Sequence, residues 1–141
     1  MSTRSGPYQT GVTLIELIIV VVVVGILSAM AVPSYRQYVL RTHRTEAKSA
    51  LLQLQQAQEK FYLQNNTYAA NGALATAPPN GLGLSATTEN GWYTIAITAA
   101  DANDFAATAT AAGDQVADTR CATFTLTGSG QRTATNTDCW D

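Results

Sequence analysis

The chain has 141 residues, with eight Lys and Arg against ten Asp and Glu, one histidine and two cysteines. That balance argues against a broad nucleic-acid-binding face, because only three basic residues (Lys60, Arg120, Arg132) follow Ser49, against eight acidic ones. A single histidine and two cysteines offer no transition-metal cluster, so neither metal nor cofactor is expected.

In chain order, residues 1–11 are short and polar and end in Gly11. Residues 12–32 (VTLIELIIVVVVVGILSAMAV) are apolar except for Glu16. As a helix the run is about 30 Å long, enough to cross a bilayer core. A carboxylate at the centre of such a span costs roughly 2.5–3.5 kcal/mol. Glu16 lies only about 6 Å along the helix, so its cost is smaller but real. A charge held there is expected to await a partner, and an amine freed by a cut just before Val12 is one candidate. An ordinary secretory signal places its small-residue site after the apolar stretch, whereas here the small residue precedes it.

The helix is expected to continue over 33–65. Ala47, Ala50, Leu51, Leu54, Gln58 and Phe61 recur at helical spacing and give an apolar stripe for a sheet to cover. With the run before it, this makes a helix of about 50 residues, roughly 75 Å. Residues 66–91 read as a connecting loop, with Pro78-Pro79-Asn80-Gly81 and Asn90-Gly91 as turn signals. Alternation predicts strands at 92–98, 105–111 and 122–127, and a weaker fourth at 131–135. Short links between them favour an antiparallel meander, and a helix followed by consecutive strands is an α+β order.

No catalytic constellation stands out. His43 lies in a basic helical stretch and reads as a solvated or headgroup-facing side chain rather than a general base. Asp101–Asp104 lacks the glycine and glutamate of a calcium loop and reads as a strand-joining turn. Asn65-Asn66-Thr67 matches a glycosylation pattern too short to carry weight. Cys121 and Cys139 form an even pair, which in an exported domain suggests a disulfide.

Gly11-Val12-Thr13-Leu14-Ile15-Glu16 resembles the processing site of type IV prepilins, with Val12 where phenylalanine is usual. Pro33-Ser34-Tyr35, Arg44-Thr45-Glu46-Ala47, residues 58–62 and the ending Asp138-Cys139-Trp140 extend the likeness toward PilE-like minor pilins. The resemblance implies the type IV pilin fold, a long helix whose second half lies on a four-stranded antiparallel sheet, with residues 92–141 holding the sheet and a Cys121–Cys139 disulfide. It implies a leader over 1–11, cut after Gly11 by a prepilin peptidase that methylates Val12, and an assembly role for Glu16. The implied partners are other pilin subunits and an inner-membrane assembly platform, with no small-molecule substrate, and nucleic acid is not expected. The implied function is a structural pilus subunit, not an enzyme. Before assembly it would sit in the inner membrane with its C-terminal domain in the periplasm, and afterwards in a surface fibre. A type II secretion pseudopilin and a DNA-uptake pilin are the alternatives. One signal runs against this orientation: Arg36, Arg41 and Arg44 follow the run while only Arg4 precedes it, and the positive-inside rule reads that as a cytoplasmic C-terminal side.

Overall fold

The computed structural model describes residues 11–141; the rest of the expected leader, 1–10, lies outside the described residues. Helix α1 runs Leu14–Asn65 and carries Pro33 inside it. Thr13 starts it: its Oγ1 accepts the backbone N–H of Glu16 at 3.3 Å, and the four residues Thr13 to Glu16 have the pattern of a capping box. The helix ends at Asn65, because Asn66 takes a left-handed conformation (φ 53°) that asparagine tolerates.

The chain divides into two compact units, up to Gln37 and from Tyr38 onward. In the first, every described residue is solvent-exposed, including the whole apolar run.

In the second, the sheet is an antiparallel meander of four strands: β1 Tyr93–Ala100, β2 Phe105–Ala111, β3 Thr123–Thr127 and β4 Arg132–Ala134, in that spatial order. Its register is set by alternation. Tyr93, Ile95, Ile97, Phe105, Ala107, Ala109, Phe124 and Leu126 turn inward, while Thr94, Thr98 and Thr110 face out. Ala47, Leu51, Leu54 and Gln58 of α1 are fully buried in the same core. Ala50 and Phe61, at the margins of the expected stripe, are only partly buried.

Residues 66–91 contain little regular structure, yet Ala69, Leu74 and Leu82 complete the core. Polar side chains of the framework pin this segment. The Gln58 amide donates to Ala69 O (2.8 Å) and accepts from Ala69 N (2.7 Å), imitating a strand pair. Asn71 Oδ1 accepts from Ile97 N at 2.8 Å. Asp101 Oδ1 accepts from the backbone N–H groups of Asn103 and Asp104, the Asx turn that joins β1 to β2.

Candidate functional site

Two features of the chain are unlike ordinary surface. The first is the start of α1. An 18-residue stretch there has the length and composition of a membrane span, and none of it is buried. Leu14 is 78% exposed and Met30 69%. A continuous apolar face of this size marks contact with lipid or with another protein. Gly11 and Val12 precede the helix, exposed and outside regular structure. Glu16, also exposed, is the acidic residue of the first turn, where the helix's unpaired N–H groups favour negative charge. Gly11, Val12 and Glu16 thus fall within one short stretch at the helix start.

The second is a polar clamp between α1 and the chain linking β2 to β3. Arg44 grips Asp118 with two parallel bonds, Nε to Oδ2 at 2.7 Å and Nη2 to Oδ1 at 2.9 Å. Asp118 is 3% exposed, and it also caps the 3-10 turn Thr119–Cys121 by accepting from Cys121 N. Beside it, buried Gln115 directs its Nε2 toward Leu40 O, Tyr93 Oη and Asp118 Oδ2 at 3.0–3.2 Å. Its Oε1 is therefore left as an acceptor, and His43 Nδ1, 2.9 Å away, supplies the proton. The His43 ring stacks on Trp92, centroids 4.2 Å apart and planes 9° apart. This corrects the reading of His43 as a solvated or headgroup-facing side chain: it is a half-buried member of the domain's own packing. Its partners lie tens of residues away in sequence, and no local signal announces them.

Electrostatics follow from these contacts. The bonds to Asp118 hold the Arg44 guanidinium pKa above its ordinary value, against the opposing effect of burial. Burial pushes the Tyr93 phenol up to about 12, although the bond from Gln115 works the other way. Burial also raises Glu46, but bonds from Thr88 and Asn90 outweigh it and leave that carboxyl below its usual range. Every buried side-chain polar atom among the described residues has a partner.

The C-terminal end is tied in separately. Cys121 and Cys139 are joined by a disulfide. In the chain-entropy model a loop of this length is stabilised by about 3 kcal/mol. Trp140 packs edge-on against Phe124 and donates Nε1–H to Thr133 O at 2.7 Å. The Arg132 guanidinium lies 5.5 Å from the Trp140 ring centre, and Arg120 is paired with Asp138.

An exposed apolar helix start, a helix laid on a four-stranded meander and a disulfide-tied end define the pilin fold. Sequence comparison then places it: the chain belongs to the type IV pilin family. A family model described as type IV minor pilin ComP, DNA uptake sequence receptor, matches residues 33–125, and the prokaryotic N-terminal methylation motif matches 6–32. The type IV major pilin PilA of Myxococcus xanthus is 40% identical over 67 residues, covering 48% of this chain and 30% of that one. Fimbrial protein EcpC of Eikenella corrodens is 36% identical over 97 residues, 67% of this chain and 58% of its own. The type IV major pilin PilE1 of Neisseria gonorrhoeae is 37% identical over 71 residues, 50% of this chain and 33% of its own. The chain thus spans between about a third and three fifths of the length of these relatives. The family is one of structural pilins, not of enzymes.

Two outcomes test the clamp. Arg44→Met strands the Asp118 carboxylate in a buried site and should cost about 3–5 kcal/mol of stability in denaturant unfolding of the detergent-solubilised chain. Adding Asp118→Leu should recover part of that. The Tyr93 phenol is held neutral, so its contribution is whole below pH 10 and is lost as pH rises through about 12. Unfolding midpoints should fall across that window, and Tyr93→Phe should flatten the fall.

Proposed function

We propose that the chain is a structural subunit of a type IV pilus, made as a precursor, cut between Gly11 and Val12, methylated on Val12 and assembled through residues 12–32. The observation that carries this reading is an apolar helix start exposed at every position, with a single carboxylate in its first turn. Such a segment needs lipid or copies of itself. Lipid is about as apolar as a helix bundle, so hydrophobicity alone gives little drive from one to the other. A charge pair supplies direction. The Glu16 carboxylate meets the amine of Val12, on its own or an adjacent subunit, and the penalty on a buried unpaired charge sets the register.

On this reading the leader is residues 1–11, the inner membrane holds 12–32 before assembly, and the disulfide-bonded domain lies in the periplasm. A prepilin peptidase and an inner-membrane assembly platform are the partners in processing and extraction. The likeness to PilE-like minor pilins and the words 'minor pilin' in the description of the matching family support a minor subunit; on this reading it promotes assembly and serves adhesion and twitching motility.

A second reading, a DNA-uptake pilin, draws on that same family description and on Arg132 stacked near Trp140. Against it, Arg120 is neutralised by Asp138 and the domain is net acidic. Filter binding with duplex DNA at physiological salt separates the two; the first reading expects no retention.

For assembly itself, Gly11→Glu should leave an uncut chain, seen as a precursor-sized intact mass. Glu16→Ala should be processed and inserted but absent from sheared fibres. Normal recovery of the Glu16→Ala chain in fibres would rule out the register role.

A further inference from the structure

We propose that Tyr35 and Arg36, assisted at longer range by Arg41, engage anionic phospholipid headgroups where the apolar run leaves the bilayer, and so retain the subunit there until extraction. This rests on the membrane reading of residues 12–32.

Four observations converge on it. Depth is the first. Tyr35 and Arg36 follow Val32 by three and four residues, about 5–6 Å of helix, and a headgroup layer is roughly 5–7 Å thick on each side. Availability is the second. Of the basic residues after the run, Arg44 is occupied by Asp118, and Lys48 donates to the Asp141 backbone carbonyl at 2.8 Å. Arg36 and Arg41 are exposed and have no ion-pair partner among the described residues. Sign is the third: residues 33–45 contain no carboxylate, and the first one after the run, Glu46, is held by Asn90. The fourth is the rings: Tyr35 and Tyr38 are each 68% exposed, and such amphipathic rings settle at headgroup level.

Arginine suits this partner because its planar fork takes two phosphate oxygens at once. Arg41 lies nine residues past Val32, at most about 14 Å of helix. Its part is longer-range attraction through charge rather than contact. The basic flank that opposes the positive-inside rule thereby gains a role, as the part of the anchor that reads lipid charge.

The test is lipid selectivity around the full chain in bilayers of phosphatidylcholine with phosphatidylglycerol, read by spin-labelled lipids of each kind. Phosphatidylglycerol should be favoured by up to about five-fold at low salt, and less as salt is raised. Arg36→Gln should remove most of the preference and Arg41→Gln a smaller part, while Arg36→Lys keeps a fraction. An inserted chain without preference overturns the inference alone. So does a preference that survives Arg36→Gln with Arg41→Gln while fibre incorporation is lost, because the arginines then serve a neighbouring subunit. A chain extracted from membranes by alkaline carbonate overturns the membrane reading itself, and this inference with it.

Discussion

Everything in this molecule depends on one imbalance: α1 has more apolar surface than its own domain can cover. The four-stranded sheet buries Ala47, Leu51, Leu54 and Gln58, and the core closes on that stretch. Among the described residues, every one from Val12 to Val32 is exposed to water. At about 25 cal/mol per Å² of apolar surface, leaving so much exposed is untenable for an isolated soluble chain. The domain is therefore built to be stable with one part of its helix while the other part answers to an outside apolar phase. On the proposed reading that phase is first lipid and then a bundle of like helices.

The second unit has its own elements to hold together. Its answer is a continuous set of polar anchors around the apolar core. Gln58 pins the segment after the helix, Glu46 pins Asn90, and Arg44 with His43 pins the link between β2 and β3. A single glutamine, Gln115, touches the helix backbone, a strand tyrosine and the clamp carboxylate at once. Low local dielectric makes each such bond strong and each broken one expensive, so the connection adopts one geometry rather than several. The disulfide then fixes the last segment against the same region, through Cys121 three residues after Asp118.

How much of this could be read beforehand depends on range. The helix was readable because its periodicity is local and its end carries an Asn-Asn signal. The strands were readable from alternation, and even the weak fourth is present as β4. The loop segment was readable as a loop but not as core. Leu74 and Leu82 sit in no repeating pattern, and only the folded path brings them under the helix. The clamp was invisible for the same reason. Arg44 and Asp118 are 74 residues apart, and an arginine on a helix in sequence looks like any solvated charge. Thr13 is a different case. A threonine three residues before a glutamate is a local capping signal, legible in the sequence alone.

That capping role bears on how a carboxylate can be kept in such a place at all. A bare charge deep in an apolar span is costly, but Glu16 is not deep and its surroundings are not bare. It belongs to the first turn, where backbone N–H groups lack helical partners and the helix carries its partial positive charge. Thr13 takes one of those donors, and the others leave the region favourable to an anion. The helix start itself therefore meets part of the carboxylate's need. On the proposed reading, cutting before Val12 adds an amine within the same stretch of chain, four residues from Glu16. The helix end makes the charge tolerable in any apolar setting, while the amine makes one particular arrangement of neighbours better than the rest. Tolerance without selectivity would leave a stable anchor that assembles in no fixed register. The two come from adjacent residues because both draw on the same feature, the unpaired start of a helix.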